Sequence, residues 1–289
     1  MSTPTTRVAF HTMGCKTNFS ETSTISREMM AHGLQQVSFR DKADVYVLNS
    51  CSVTENADKE ARKLIRQARR RNPDAAVAVI GCYAQLNPAE IAAIPGVDLV
   101  VGTAEKFNLF AHLSSLKANR KATIIQSPIE TVQSFQPSFS AAERTRSYLK
   151  IQDGCNYNCS FCTIPLARGR SRNDSIENTV NIAQQIADTE AREIVLTGVN
   201  IGDYGVDSDE DFLQLIQALD NVDGIDRFRI SSIEPNLLSD EIITFCAQSK
   251  KFVPHFHIPL QSGTDSILWR MKRRYDTALY LSKIERLIT

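Results

Sequence analysis

Three cysteines, Cys155, Cys159 and Cys162, stand in the stretch IQDGCNYNCSFCTIP with C-x3-C-x2-C spacing. Thiolates so spaced suit three corners of an iron–sulfur cube and leave the fourth iron open to a small molecule, which that iron can bind and reduce. Zinc is the plainer alternative, but a structural zinc asks for four ligands, commonly two Cys pairs or a Cys pair and a His pair. No fourth Cys or His lies within twenty residues of this stretch. A third reading, with three thiols buried merely as small hydrophobes, ranks below zinc, because they crowd into eight residues.

A second set, Cys15, Cys51 and Cys82, is scattered along the sequence but not at random. Each thiol comes just after an expected strand, in AFHTMGC, YVLNSC and AVIGC. In an open parallel sheet the carboxyl ends of the strands lie along one edge, where ligands bind. Burial as small core residues is the competing reading for these three. The small or polar residues beside each thiol, in MGC, NSC and IGC, allow close approach of a bulky inorganic ligand and favour a second cluster with three protein ligands. Cys246 differs: it shares the apolar side of the helix EIITFCAQ with Ile242 and Phe245 and reads as core.

The elements that must position these thiols follow a βα rhythm. RVAFHTM, ADVYVLNS, AAVAVIGC and VDLVVGT read as doubly buried parallel strands. Helical patterns such as ETSTISREMMAHGL and NADKEARKLIRQARRR lie between them, so residues 1–125 form an open parallel α/β sheet domain. The Ser-, Gln- and Pro-rich stretch 126–144 reads as a linker. A second βα series fills 145–289, with strands at RSYLKIQ, EIVLTGV, RFRISSI and FVPHFHIPL and helices between and after them, the last over TDSILWRMKRRYDTALYLSKIERLI. A closed βα barrel uses about 250 residues, roughly 31 per unit. The expectation for 145–289 is therefore a partial barrel, truncated at its C-terminal end. Neither a G-x-G-x-x-G nor a P-loop is present, so no ordinary dinucleotide or nucleoside-triphosphate site is indicated.

Composition narrows the function classes. Hydrophobic residues make up 42% and charged residues 23% of 289, with a net charge of zero. Nucleic-acid contact would have to come from local basic patches. The longest apolar run, near Ala75–Ile80, is far too short to cross a bilayer. Seven cysteines without a signal segment argue for reduced thiols and metal rather than disulfides. A cytoplasmic protein without membrane contact is expected.

GCKTNFSET, NSCSVTENADKEARKLIR, VIGCYAQ and KIQDGCNYNCSFCTIPLARGRSR together resemble the radical-SAM methylthiotransferases over nearly the whole chain. The resemblance implies that Cys155, Cys159 and Cys162 hold a 4Fe–4S cluster that binds S-adenosylmethionine. It implies that Cys15, Cys51 and Cys82 hold an auxiliary 4Fe–4S cluster carrying the sulfur to be inserted. It also implies reductive cleavage of the cofactor, hydrogen abstraction from an adenosine carbon, and methyl transfer from a second S-adenosylmethionine. The expected partners are tRNA, a low-potential electron donor such as flavodoxin or ferredoxin, and a sulfur donor. Family members carry a small C-terminal β domain that helps to hold RNA, and this chain is expected to stop short of it. DGCNYNCSFCTIPLARGRSR, LTGVNIGDYG and RISSIEPN are most similar to the branch acting on threonylcarbamoyladenosine in tRNA. The alternatives are isopentenyl-adenosine in tRNA, an aspartate of a small-subunit ribosomal protein, or a non-enzymatic iron–sulfur carrier or redox sensor.

Further site residues are expected where barrel strands end. Thr197, Gly198 and Asn200 follow the second strand, Ser231, Ser232 and Glu234 the third, and Gln261 and Ser262 the fourth. Phe161, beside the third cysteine, is placed against the adenine or over the cluster. Each of these residues alone is equally well read as a cap or a loop hydrogen bond. His255 and His257 flank Phe256, one of them as a core histidine. Arg168, Arg170 and Arg172, just beyond the cysteine loop, are expected to meet RNA phosphates. Basic runs at Arg62–Arg71 and Arg270–Arg274 read as RNA-facing or simply solvated.

Overall fold

The computed structural model describes residues 5–51, 55–116, 121–141 and 146–288. Positions 52–54 of the NSCSVT motif and 142–144 of the linker stretch lie outside them. The chain divides into two compact units, residues 1–132 with Leu166–Arg168, and residues 133–165 with 169–289.

The first unit is built on six parallel strands: β1 (Arg7–Thr12), β2 (Gln35–Val37), β3 (Val45–Ser50), β4 (Ala76–Gly81), β5 (Leu99–Val101) and β6 (Thr123–Ile125). Their order is β2-β1-β3-β4-β5-β6. All six residues of β3 are buried, as a run of apolar residues covered on both faces requires. One face packs Ala9, Tyr46, Leu48, Val77 and Val79 with Leu64, Ile65 and Ala68. The other packs Val8, Val47, Ala78 and Ile80 with Ile25 and Met29. The four expected strands are present, the last as the three-residue β5; β2 and β6 are equally short but mostly exposed and carry no doubly buried apolar run to be read from sequence.

The helix expected from Glu21 begins earlier and spans Lys16–Ala31, with Cys15 as its N-cap. Its first turns bury polar residues instead of an apolar stripe. Glu21, fully buried, accepts from Lys106 Nζ at 2.6 Å and from both terminal nitrogens of Arg168 at 3.0 and 3.1 Å. Arg168 also donates to Asn18 Oδ1 at 2.6 Å. The same Asn18 donates to the carbonyls of Met13 and Ser50, at 3.0 and 3.2 Å. A buried charge network therefore underlies the loops that carry Cys15 and Cys51.

The second unit has a four-stranded sheet, β7 (Ser138–Phe139), β8 (Ser147–Lys150), β11 (Glu193–Thr197) and β12 (Arg227–Ile230), in the order β12-β11-β8-β7. β8, β11 and β12 are parallel and β7 is antiparallel. β9 (Gln152–Asp153) and β10 (Arg172–Asn173) pair as a separate antiparallel ribbon. β7 lies inside the stretch read as linker, with Ser138 and Ser140 buried. The apolar core joins Leu149, Ile194, Leu196, Phe228 and Ile230 to the helices Ile176–Ala187, Phe212–Leu219 and Asp240–Gln248, and includes Cys246.

Two expected elements differ. FVPHFHIPL follows β12 only through single parallel bridges, Phe228 to Phe252 and Ser232 to His257. Pro254 and Pro259 remove ladder donors there, so no continuous strand forms. His255 and His257 are both exposed, so neither is a core histidine. The single helix expected over 264–288 is two, Asp265–Arg270 and Thr277–Ile288. Lys272 takes φ of 56° between them, and Arg273 N–H turns back to Leu268 O at 3.0 Å.

The buried network makes a stability prediction. Glu21→Gln leaves two buried cations without their carboxylate and should cost about 3–5 kcal/mol. Glu90→Gln breaks an exposed pair with Arg62 and should cost less than about 1 kcal/mol. Denaturant midpoints of the two variants decide this, and equal midpoints would contradict the network's importance.

Candidate metal centres

The loop carrying Cys155, Cys159 and Cys162 leaves the sheet through Gln152, whose side chain is fully buried. Its Nε2 donates to the carbonyls of Asp153 and Gly154, at 3.0 and 2.8 Å, and to Ser171 Oγ at 2.8 Å. Its Oε1 accepts the N–H groups of Val199 and Asn200, at 2.9 and 2.8 Å. One amide thus joins the start of the cysteine loop, the returning ribbon and the turn after β11. The loop closes through Cys155 N–H to Gly169 O at 3.0 Å and Ser171 N–H to Asn156 Oδ1 at 3.0 Å. A Cβ on Gly154, at φ 71°, would collide with the Arg170 carbonyl, so glycine is required there.

The three thiols are partly exposed and face donors. Tyr157 N–H lies 3.4 Å from Cys155 Sγ, and an Arg273 terminal nitrogen lies 3.1 Å from Cys159 Sγ. Burial pushes the Cys155 thiol up to about 11, against the pull of the Tyr157 N–H. Burial also raises the Cys162 thiol. Thiols in such surroundings ionise when a cationic partner stabilises the thiolates, as an iron cluster does. Around the loop, the buried atoms Asn200 Oδ1, Asn236 Oδ1 and Arg273 Nε have no hydrogen-bond partner among the described residues. Such acceptors and donors suit a small zwitterionic ligand. The residue types and the loop's placement suit a cluster with a small polar molecule beside it, while among the described residues no three His, Cys, Asp or Glu side chains are gathered as around a metal ion.

The expected neighbours fall into two groups. Asn200 donates to Asp203 Oδ2 at 2.8 Å, and Gly198 lies with it in the turn bound by Gln152. Thr197 is buried at the end of β11 and its carbonyl accepts Ile151 N–H at 3.0 Å. Glu234 accepts from Arg273, which also reaches Cys159. Thr197, Gly198, Asn200 and Glu234 are thus tied to the cysteine loop or to its root. The others have different bonds. Ser231 N–H donates to Leu196 O at 3.3 Å, and Ser232 Oγ lies 2.7 Å from His257 Nδ1. Gln261 is exposed at φ 62°, Ser262 Oγ accepts Thr264 N–H at 3.2 Å, and Phe161 is 52% exposed.

Two of the three arginines expected at RNA are structural. Arg168 is 1% exposed and committed to Glu21 and Asn18. The Arg172 side chain is 10% exposed and bonds Asp153 Oδ2 and the carbonyls of Ser134 and Arg170. Arg170 alone of the three is exposed. The run at Arg270–Arg274 is likewise divided. Arg273 turns inward, and Arg274 lies 3.9 Å from the Tyr157 ring centroid and donates to Asn156 O at 3.1 Å. In the other run, Arg62 pairs with Glu90 and Arg69 with Asp98. Sequence reasoning missed Gln152 and Asp203, and took Arg273 only as part of a basic run. Asp203, buried beside Asn200 and raised by that burial, stands in the same LTGVNIGDYG segment that pointed to Asn200.

In the first unit, Cys15, Cys51 and Cys82 follow β1, β3 and β4, which are neighbours in the sheet. The order 2-1-3 places a topological switch point between β1 and β3, the usual ligand crevice of such sheets. A Cβ on Gly14 would lie 2.8 Å from Cys51 Sγ, so the loop before Cys15 passes directly against Cys51. Cys82 is buried and begins the helix Cys82–Leu86.

Family comparisons agree with this layout. The model of "Uncharacterized protein family UPF0004" matches residues 7–102, and that of the "Radical SAM superfamily" matches 149–288. The threonylcarbamoyladenosine tRNA methylthiotransferase MtaB of Bacillus subtilis is 44% identical, over 97% of this chain and 63% of its own length. That of Aquifex aeolicus is 38% identical, over 95% of this chain and 67% of its own. The chain belongs to the radical-SAM methylthiotransferase family. It spans about two thirds of the length of these relatives. A tRNA-2-methylthio-N(6)-dimethylallyladenosine synthase of Hydrogenobaculum is 30% identical, over 96% of this chain and 65% of its own length. Among solved structures, the radical S-adenosylmethionine methyltransferase TsrM of Kitasatospora setae, with tryptophan and a cofactor analogue bound, shares the fold. Its TM-score is 0.64 at 12% identity, over 97% of this chain and 65% of that one. Family membership implies a 4Fe–4S cluster and S-adenosylmethionine. No helix among the described residues is long and apolar enough to cross a membrane.

Gln152→Ala strands two buried N–H groups and should cost about 1–3 kcal/mol for each. Gly154→Ala forces the cysteine loop off Arg170 and should lower bound iron at Cys155, Cys159 and Cys162. Iron content and thermal unfolding check both, and an unaltered iron content in Gly154→Ala would oppose the loop geometry described here.

Proposed function

We propose that the protein methylthiolates threonylcarbamoyladenosine in tRNA, with one 4Fe–4S cluster on Cys155, Cys159 and Cys162 and an auxiliary cluster on Cys15, Cys51 and Cys82. The observation that carries this reading is the cysteine loop fixed by Gln152 at the carboxyl ends of parallel strands, in a chain 44% identical to an enzyme of that name. When bound, the cluster and S-adenosylmethionine supply one-electron cleavage chemistry, and the auxiliary cluster supplies sulfur.

The chain's own residues position and shield. Gln152 holds the loop and the Thr197–Asn200 turn at one distance. Asn200, Asn236 and Glu234 present polar atoms where strands end and suit the amine and carboxylate of the cofactor. Arg170 is the exposed cation that suits an RNA phosphate. A low-potential electron donor, a sulfur donor and a cytoplasmic location belong to the same reading. The placement of Cys15, Cys51 and Cys82 after three neighbouring parallel strands favours this enzyme over a simple iron–sulfur carrier, which needs no second thiol set on its own α/β domain.

Cys159→Ala should abolish S-adenosylmethionine cleavage. Cys51→Ala should leave cleavage and end sulfur insertion. Mass-spectrometric analysis of tRNA nucleosides from a strain lacking the gene should show threonylcarbamoyladenosine accumulating without its methylthio form. Loss of methylthiolated isopentenyl-adenosine instead would assign the other tRNA branch. Cleavage surviving in Cys159→Ala would falsify the cluster assignment.

A further inference from the structure

Arg273 belongs by sequence to a solvated basic run, WRMKRRYD, yet its side chain is 4% exposed. The backbone turns it inward. After the helix Asp265–Arg270, Lys272 adopts left-handed φ, and Arg273 N–H bonds back to Leu268 O. One guanidinium nitrogen then lies 3.1 Å from Cys159 Sγ, and the other meets the Glu234 carboxylate. The guanidinium also lies 5.1 Å from the Tyr275 ring centroid. Two further ties hold this segment against the cysteine loop, Ser160 N–H to Met271 O at 3.1 Å and Arg274 to Asn156 O at 3.1 Å. These act on the loop backbone. Arg273, by contrast, donates directly to a sulfur, that of Cys159.

We propose that Arg273 sets the reduction potential of the cluster held by Cys155, Cys159 and Cys162, by donating a charged hydrogen bond to the Cys159 sulfur. The inference rests on the cluster assignment above. A cluster gains negative charge when reduced. A hydrogen bond and a cation at a ligand sulfur stabilise that added charge and move the potential upward. The guanidinium suits the position because its planar fork serves two acceptors at once, the sulfur and the carboxylate. Glu234 keeps the fork in register with Cys159, so the pair acts as one device. Arg273 is thus a positioning residue: it works through Cys159 and takes no part in bond breaking.

The test uses the whole protein carrying Cys15→Ala, Cys51→Ala and Cys82→Ala, so that only one cluster reports. After anaerobic reconstitution, an EPR-monitored redox titration is run without substrate or S-adenosylmethionine. Arg273→Gln should keep its iron and titrate at a lower potential than the parent, by about 59 mV or more, a tenfold change in the reduction equilibrium. Arg273→Lys should fall between the two, since a point charge cannot hold sulfur and carboxylate together. A Gln variant titrating with the parent overturns the proposal. Should the Gln variant hold no iron, the Lys variant decides: a potential below the parent's supports the proposal and an equal one overturns it. A parent that binds no iron overturns the cluster assignment itself, and the inference with it.

Discussion

The amide of Gln152 is the constraint on which the cysteine loop depends. Both of its ends are fully engaged inside the second unit, with the loop root and ribbon on the nitrogen side and the β11 turn on the oxygen side. Buried amides without partners are costly, so the arrangement is stable only when every one of these segments is in place. The root of the loop is therefore ordered by its bonds to the sheet and the β11 turn. Lys150, Asp153 and Arg172 add a buried ionic layer below it. The Arg273–Glu234 pair adds a clamp from the C-terminal helices. A thiolate ligand set needs such fixed backbone, because cluster geometry tolerates little displacement of its ligands.

Both units use the same architectural rule by different means. Parallel strands deliver their following residues to one edge. In the first unit three separate strands are each followed by one cysteine, so a site built from these three forms only once the sheet does. In the second unit one strand delivers all three in a single loop. The first arrangement needs rigid loop roots, and Asn18 supplies them by bonding the carbonyls of Met13 and Ser50 at once. Its own position depends on Arg168 and thus on the buried Glu21 network.

Much of this was legible in the sequence, and the exceptions have physical causes. The six cysteines, the long parallel strands and the βα rhythm announce themselves through spacing and apolar runs. β2 and β7 do not, because the first is polar and mostly exposed and the second is two residues inside a Ser-, Gln- and Pro-rich stretch. The broken helix after Asp265 escaped because its residues keep helical spacing across the break; only the left-handed Lys272 marks it. Arginines misled most. Arg168, Arg172 and Arg273 look like a basic surface in sequence, yet each is buried against an acid whose partner position lies far along the chain. Gln152 gave no local signal for the same reason: its five hydrogen bonds reach residues up to 48 positions away.

The proposed function requires that two sheet edges each hold a cluster on three cysteines. Iron and acid-labile sulfide per chain, measured after anaerobic reconstitution, test it most directly. About eight of each are expected, falling to about four when Cys15, Cys51 and Cys82 are replaced by alanine. About four in the unaltered chain, unmoved by those replacements, would contradict it and leave the second unit with the only cluster.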